Sequence, residues 1–236
     1  MRITVFSAHP DDAEFAMGGV LLMLAASHEV TNVILTRGEA GTHGTPQKRE
    51  REGYEAGRIG GYSVRFLDYT DTRIEDTTRT VEHIAQVIRE LKPNVVFTPY
   101  HTNNASHTDG RAHQDHTALG RIVRKAARIA KFSNAPIPGK AHRAEKIIYY
   151  MVPRYTKPSF LVDVSAVASQ LPSLWKAHES QTALRDGAII DYLLFWRESN
   201  GRDAGVSLAE EFIVEEPLVL TLEGLFPEDS RKTEGE

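Results

Sequence analysis

Short apolar runs rich in β-branched residues alternate with segments of helical periodicity along the first part of the chain. The predicted strands cover residues 3–8, 30–36, 65–68 and 94–99, and the predicted helices between them cover residues 16–28, 47–60 and 78–92. Strands joined through helices pair in parallel, with right-handed crossovers that place helices over the sheet. The sequence therefore predicts an α/β fold, with a doubly wound, mainly parallel sheet and helices on both faces.

The remainder of the chain continues without a linker or an internal repeat. Further helices are predicted over residues 117–132 and 166–182, and further strands over residues 146–152, 160–164 and 218–222. We predict one domain over residues 1–226. The charged tail that follows it, residues 227–236, is predicted to be frayed, as chain ends often are.

Composition excludes several classes of protein and of site. Lys and Arg number 28 against 32 Asp and Glu, so no excess of positive charge favours nucleic acid or an anionic membrane as a partner. The apolar N-terminus meets charge too soon for a signal peptide or a membrane span, and a cytoplasmic protein is expected. The chain has no Cys. Any metal site must therefore use His, Asp or Glu.

Polar residues follow the first and the fourth predicted strand. Residues 9–12 are His-Pro-Asp-Asp, and residues 113–116 are His-Gln-Asp-His. Both groups lie at the carboxyl edge of the sheet, where such folds bind ligands. Two imidazoles and a carboxylate form an open three-ligand site of the catalytic zinc type, and a neighbouring carboxylate can act as a base. Taken singly, the Asp pair also fits a helix cap, and the His pair also fits an exposed surface.

The chain resembles a known family at these positions. Residues 8–15, Ala-His-Pro-Asp-Asp-Ala-Glu-Phe, followed by Gly18-Gly19, resemble the signature of the LmbE/PIG-L deacetylases, zinc enzymes that remove N-acetyl groups from amino sugars. Residues 36–42 and 113–116 match the same family in the same order. A weaker likeness reaches Ala209–Phe212 and is closest to the bacterial branch that acts on small glucosamine conjugates. The resemblance implies a Rossmann-like, LmbE-like sheet and an amidohydrolase.

The resemblance also implies a role for each site residue. The implied ligands of one Zn²⁺ per chain are His9, Asp12 and His116. Asp11 becomes the general base that deprotonates the zinc-bound water. His113 would stabilise the oxyanion and Asp115 would orient an imidazole. The proton for the leaving amine would come from Asp11 or His113, and the sequence leaves this choice open.

Arg49 and Glu52 lie one helical turn apart and share a helix face. From their spacing alone they form an exposed ion pair, whereas the family resemblance assigns both to substrate binding. An Arg at this position suits a carboxylate or a phosphate on the substrate. The roles of His43, His101, His107, His142 and Arg143 stay open.

Two other functions share this set of residues. Two His and one carboxylate also form the site of non-haem Fe(II) enzymes, and a chain with the ligands alone could bind sugar or metal without catalysis. Asp11 favours the hydrolase, because a hydrolase needs a base beside its water. An NAD(P)-binding Rossmann enzyme is excluded, since no Gly-rich turn follows the first strand.

The substrate is predicted to be a small N-acetylglucosamine-type sugar or conjugate. Candidates are an N-acetylglucosaminyl malate, chitobiose or free N-acetylglucosamine, and an intermediate of an aminoglycoside or glycopeptide pathway. A lipid-linked inositol fits less well because the sequence has no membrane anchor. Assembly as a homo-oligomer is an expectation from the family resemblance.

Overall fold

The computed structural model describes residues 1–105, 109–183 and 188–219. Its strands and helices, in chain order, are β1 (Arg2–Ser7), α1 (Asp12–Ala25), β2 (Glu29–Ile34), α2 (Pro46–Gly60), β3 (Ser63–Phe66), α3 (Thr78–Leu91), β4 (Val95–Pro99), α4 (Gln114–Ala130), β5 (Lys146–Tyr150), β6 (Phe160–Asp163), α5 (Leu171–Lys176), α6 (Glu179–Thr182), α7 (Ala188–Ala204) and β7 (Ala209–Phe212). His107 and the predicted tail, residues 227–236, lie outside the described residues. Among the described helices, none is both long and apolar enough to cross a bilayer.

β1 lies at the centre of a five-stranded parallel sheet of order β3-β2-β1-β4-β5. The chain builds outward from β1 through β2 to β3, and then returns to the other side of β1 as β4. The order of the strands therefore reverses between β1 and β4. A crevice opens at such a switch point, outside the carboxyl ends of the two strands. The predicted doubly wound, mainly parallel fold is confirmed.

Apolar side chains pack against both faces of the sheet. On one face, Val5 and Phe97 join a cluster that includes Leu21 of α1. On the other face, Phe6 joins a cluster that includes Ile84 of α3 and residues of α4. The sheet is thus covered on both sides, as its apolar strands require. Only the loops at the ends of the strands are left to form a site.

Two helices begin at least three residues before their predicted starts, and both changes affect the site. α1 begins at Asp12 and α4 begins at Gln114. The N-cap of α4 is His113, whose Nδ1 accepts a hydrogen bond from the backbone N–H of Asp115 at 3.3 Å. Histidine is not among the preferred N-cap residues, so the sequence carries no usual start signal there. As a result Asp12 and His116 lie in the first turns of their helices.

The C-terminal part differs most from the prediction. Residues 166–182 form a 3-10 turn and two short helices, α5 and α6, because Pro172 starts a new helix and the backbone at His178 leaves helical geometry. α7 and β7 have no counterpart in the sequence prediction, and β7 pairs antiparallel with β6. Residues 218–219 of the predicted last strand lie in no strand, and residues 220–222 lie outside the described residues.

Gly19 lies where α1 packs closely against the C-terminal part. A Cβ atom at Gly19 would lie 2.6 Å from the Cβ atom of Val164. Overpacking of this kind costs about 1–3 kcal/mol, and we expect Gly19→Ala to lower the free energy of unfolding in urea by about that amount. The control is Gly110→Ala, where a Cβ atom would meet no atom of the described residues within 4 Å. Equal stability of the two variants would contradict this packing.

Candidate metal centre and active site

Two imidazoles and one carboxylate meet in the crevice between β1 and β4. Nδ1 of His9 lies 3.2 Å from Nε2 of His116. Oδ1 of Asp12 lies 3.1 Å from Nε2 of His116 and 3.6 Å from Nδ1 of His9. All three side chains are buried. These three atoms form a compact triangle, which we call the ligand triangle.

The ligand triangle has the dimensions expected for three ligands of one tetrahedral zinc ion. Bonds of about 2.0–2.1 Å at tetrahedral angles place neighbouring ligand atoms about 3.3 Å apart. The tautomer of His9 also fits. Its Nε2 lies 3.0 Å from Oδ1 of Asp71, so the ring proton belongs on Nε2, and Nδ1 keeps the lone pair that a metal needs. The residues present therefore fit a divalent metal such as zinc.

His113 lies close enough to offer a different third ligand. Single ring nitrogens of His9, His113 and His116 all lie within 4.8 Å of one another. However, Nδ1 of His113 accepts the hydrogen bond that caps α4. A neutral imidazole with Nδ1 as acceptor carries its proton on Nε2, where it donates and does not ligate. The geometry thus favours Asp12 as the third ligand and leaves His113 as a hydrogen-bond donor.

The environment of His113 also favours its neutral form. Burial lowers the pKa of His113, and the neighbouring charges of His9 and His116 lower it further. A neutral imidazole keeps one ring N–H available as a hydrogen-bond donor.

Asp71 and Asp115 hold the imidazole of His9 at its Nε2, the nitrogen outside the ligand triangle. Oδ1 of Asp71 lies 3.0 Å from this nitrogen, and Oδ2 of Asp115 lies 3.5 Å from it. Oδ2 of Asp71 accepts the N–H of Ala40, and Oδ2 of Asp115 accepts the N–H of Thr72. Burial opposes the charge on Asp71, but His9 and these backbone groups outweigh burial and lower the pKa of Asp71 to about 2. His9 is therefore oriented by two carboxylates that the loop backbone holds in place.

Asp71 is the site residue that the sequence prediction missed. It lies in the loop after β3, at the same edge of the sheet as the other site residues. The sequence does carry a signal for it, because a carboxylate that follows a parallel strand is a candidate by the rule applied to the loops after β1 and β4. Its pairing with His9 depends on the path of the loop, which no sequence pattern specifies.

The carboxylate of Asp12 divides its oxygens between the backbone and the ligand triangle. Oδ2 accepts the N–H groups of Ala8 and His9 at 2.8 and 2.9 Å, while Oδ1 faces the two imidazoles. These hydrogen bonds run to the end of β1, so Asp12 does not cap α1. Burial opposes its charge, but His116 and His9 hold the pKa of Asp12 well below its usual range. Asp12 is a charged carboxylate fixed in orientation by the end of the strand.

The backbone of Asp11 is left-handed, with φ 116°, and its carboxylate lies beside Arg49. Asp tolerates this region better than most residues. Its Oδ2 lies 3.4 Å from Nη2 of Arg49, which also donates to the carbonyl of Pro10, while Nη1 donates to Gly38. Burial raises the pKa of Asp11 to about 6, although Arg49 opposes the shift. Asp11 is thus a carboxylate beside the ligand triangle and outside it.

Arg49 and Glu52 are both buried, in contrast to the exposed ion pair that their spacing also allowed. Arg49 faces Asp11, as described above. Glu52 faces α6, where its two oxygens accept the N–H and the hydroxyl of Ser180 at 2.7 and 2.6 Å. The two residues therefore face different neighbours, and contact with a substrate stays a prediction for both.

The histidines left open by the sequence have other neighbours. Nε2 of His101 lies 2.9 Å from a carboxylate oxygen of Glu215, and Nε2 of His142 lies 2.7 Å from the carbonyl of Pro93. His43 lies in an exposed loop between β2 and α2. None of these contacts connects His43, His101 or His142 with the ligand triangle.

The chain is similar to curated bacterial deacetylases. It is 26% identical to a 1D-myo-inositol 2-acetamido-2-deoxy-alpha-D-glucopyranoside deacetylase of Tsukamurella paurometabola, over 85% of this chain and 79% of that protein. It is also 26% identical to a probable N-acetyl-alpha-D-glucosaminyl L-malate deacetylase 2 of Bacillus cereus, over 77% of this chain and 84% of that protein.

Solved structures share the fold over nearly the whole chain. A conserved protein of Thermus thermophilus is 33% identical, with a TM-score of 0.83 and coverage of 94% of this chain and 97% of that chain. The N,N'-diacetylchitobiose deacetylase of Pyrococcus horikoshii is 22% identical, with a TM-score of 0.78 over 95% and 88% of the two chains. A 4-carboxy-2-hydroxymuconate hydratase of Pseudomonas putida has a TM-score of 0.77 at 20% identity, covering 93% and 98% of the two chains, so the fold alone does not fix the chemistry.

The family relationship rests on the sequence itself. The model of the PIG-L family, described as GlcNAc-PI de-N-acetylase, matches residues 4–127, which hold most of β1, all of β4 and all three residues of the ligand triangle. This match covers more than half of the chain. The chain therefore belongs to the PIG-L family.

Proposed function

We propose that this protein is a zinc-dependent hydrolase that removes the N-acetyl group from a small N-acetylglucosamine-type sugar or conjugate. The observation that carries the proposal is a partly buried carboxylate, Asp11, which lies beside the ligand triangle without being part of it. A hydrolase needs both a metal site and a separate base at the same place. Membership of a family described as a de-N-acetylase supports the choice of bond.

The metal would be held by His9, Asp12 and His116. The chemistry that zinc supplies in sites of this kind is Lewis-acid polarisation of a carbonyl and activation of water. Asp71 and Asp115 would support the metal indirectly, because they fix the ring of His9 and its tautomer. Asp115 thereby takes the orienting role that the family resemblance implies.

Asp11 acts as the general base in this mechanism. Its carboxylate accepts a proton from the water that attacks the acetamide carbon, and a tetrahedral intermediate forms on the substrate. The ion pair with Arg49 holds the carboxylate of Asp11 in place. The C–N bond then breaks as Asp11 passes this proton to the amine nitrogen, and acetic acid leaves and loses its proton to become acetate, while neutral His113 keeps its one ring proton. Water and an N-acetyl sugar are thus converted into acetate and a free amino sugar.

His113 acts as a hydrogen-bond donor to the developing oxyanion. The cap of α4 occupies its Nδ1, so Nε2 carries the proton in the neutral ring. A donor fixed before the reaction stabilises charge that develops in the transition state, typically by several kcal/mol. The helix cap therefore fixes the tautomer that the chemistry needs.

We propose that Arg49 and Glu52 belong to the substrate side of the site. Arg49 is next to Asp11 and hence next to the reacting group. A guanidinium in this position suits a carboxylate or a hydroxyl of the substrate. Glu52 accepts a hydrogen bond from Ser180. Because Glu52 and Arg49 lie on the same edge of α2, a substrate that contacts Arg49 would also lie near Glu52.

The proposed substrate class is tested by acetate release from a defined panel. The panel contains N-acetylglucosamine, its malate and inositol conjugates, and N,N'-diacetylchitobiose, which represent the substrates that relatives are named for. Zinc content is measured by elemental analysis on the same sample. We expect about one zinc per chain and acetate release that stops on chelation and returns with Zn²⁺. Zinc-loaded protein that releases no acetate would overturn the proposal, and bound iron without acetate release would favour the non-haem Fe(II) enzyme.

Replacement of single histidines separates the ligand from the donor. We expect His116→Ala to lose most of its zinc, because the ligand triangle loses one of its three atoms. His113→Ala is expected to keep its zinc while its turnover falls by about 10²-fold, the usual loss for one oxyanion donor. Elemental analysis and acetate release measure both effects. Full zinc occupancy in His116→Ala would show that the ligand assignment is wrong.

Asp11→Asn removes the base but keeps the shape of the residue. Asn also tolerates the left-handed backbone at this position, so we expect an intact fold and nearly full zinc content. Turnover should fall by about 10²-fold or more because no group accepts the proton of water. Asp68→Asn makes the same chemical change at an exposed carboxylate, and it should leave turnover unchanged. Near-normal turnover in Asp11→Asn would exclude this residue as the base.

A further inference from the structure

α1 contains a break one turn after its N-terminus. Met17 has φ −140° and ψ 30°, outside the helical range, so residues 12–16 form a short first segment that precedes a longer second one. In an unbroken helix the N–H of Gly19 would bind the carbonyl of Phe15. A break removes such partners, and buried backbone groups that lack partners cost free energy.

Two C-terminal side chains bind the carbonyls of the first segment. Nε1 of Trp175, on α5, donates to the carbonyl of Glu14 at 2.8 Å. Nη2 of Arg197, on α7, donates to the carbonyl of Phe15 at 2.9 Å. Both donors have 0% exposure, so water does not compete for these bonds. The first segment is thus held by residues 161 and 182 positions away in sequence.

Glu210, on β7, binds the start of the second segment and pairs with Arg197. Its two carboxylate oxygens accept the N–H groups of Gly19 and Val20 at 2.9 and 2.8 Å. One of them also lies 2.7 Å from Nε and 2.6 Å from Nη2 of Arg197. The guanidinium carbon lies 4.8 Å from the centre of the Trp175 ring. We call Trp175, Arg197 and Glu210 the clasp.

The ion pair in the clasp does more than add stability. Desolvation of two buried charges offsets most of their attraction, and apolar side chains of similar volume often stabilise a fold equally well. A guanidinium and a carboxylate, however, bind the backbone in fixed directions. Arg197 and Glu210 bind opposite sides of the break, one the carbonyl of Phe15 and the other the N–H of Gly19. The pair therefore sets the angle between the two segments of α1.

The first segment carries the two residues whose orientation matters most for catalysis. Asp12 is its first residue and Asp11 is its N-cap. A segment of this length does not form a stable helix by itself, because helix nucleation is unfavourable. At one end Asp12 binds the N–H groups that close β1. At the other end the clasp binds the carbonyls of Glu14 and Phe15, and the Glu14 carboxylate accepts hydrogen bonds from the Tyr62 hydroxyl and the Asn32 amide.

We propose that the clasp positions Asp11 and Asp12, and that Trp175, Arg197 and Glu210 are positioning residues of the active site. Loss of the clasp would let the first segment rotate, which would move one oxygen of the ligand triangle and the base together. This inference rests on the function proposed above for what the positioned residues do. The clasp itself is tested independently of catalysis.

The test compares two buried arginines that bind backbone carbonyls in different parts of the fold. Arg197→Lys keeps the positive charge but loses the planar guanidinium, which binds the Glu210 carboxylate and the Phe15 carbonyl at the same time. Arg89→Lys is the matched control: Arg89 has 2% exposure and lies on α3, on the other face of the sheet from α1. The carbonyls that Arg89 binds belong to Ala130, Phe132, Ile137 and Gly139.

Three quantities are measured for both variants and for the unchanged protein. They are the free energy of unfolding in urea, the Kd of the metal-free protein for Zn²⁺ by competition with a chromogenic chelator, and the hydrogen exchange of backbone amides in residues 8–16. We expect both variants to lose stability. Only Arg197→Lys should raise the Kd for Zn²⁺, by about tenfold, and speed exchange in residues 8–16. Its kcat should fall with KM little changed.

The proposal is overturned if Arg197→Lys and Arg89→Lys bind Zn²⁺ with Kd values within about twofold of each other, because the expected separation is about tenfold. If the unchanged protein binds no Zn²⁺ and releases no acetate, the proposed function fails, and exchange in residues 8–16 alone decides the clasp. Equal exchange in the two variants would then overturn it. Should Arg197→Lys not fold, Glu210→Gln replaces it, because it keeps the shape of the side chain and removes the charge.

Discussion

The carboxylate of Asp12 makes the interaction on which the active centre depends. One oxygen accepts the two N–H groups that close β1, and the other lies within 3.6 Å of both imidazoles of the ligand triangle. The end of the strand, the start of α1 and the ligand triangle therefore cannot move independently. The surrounding carboxylates act in the same way. Asp71 and Asp115 each lie beside Nε2 of His9, and each also accepts a hydrogen bond from a backbone N–H of a loop. Asp12, Asp71 and Asp115 thus each contact an imidazole and also accept hydrogen bonds from the backbone.

The chemistry and its support come from different parts of the chain. The residues that match the PIG-L family model include the ligand triangle, Asp11 and His113. The side chains that hold the break in α1 all lie beyond residue 127. In a doubly wound sheet the crevice exists wherever the strand order reverses, so the fold provides a place for a site without a dedicated sequence motif. Orientation of the groups within that crevice needs further contacts, and here they come from α5, α7 and β7.

Features set by local periodicity could be predicted from the sequence, and features set by tertiary contacts could not. The strands of the parallel sheet are continuous apolar runs, and the rule for carboxyl edges brings His9 and His116 together without coordinates. α4 starts at an unusual cap, His113, so it begins earlier than the sequence pattern predicts. The break at Met17 falls at the second residue of the helix predicted over residues 16–28, and distant side chains stabilise it. Asp71 follows a predicted strand, but its contact with His9 depends on a loop whose path the sequence does not specify.

The central claim is that His9, Asp12 and His116 hold one metal ion beside Asp11. The most direct measurement is a crystal structure of the zinc-loaded protein with anomalous diffraction recorded on both sides of the zinc absorption edge. The account predicts one anomalous peak per chain, bounded by Nδ1 of His9, Oδ1 of Asp12 and Nε2 of His116, with Asp11 outside bonding distance. A peak bounded by His113 in place of Asp12, or no peak in the crevice at saturating zinc, would contradict it.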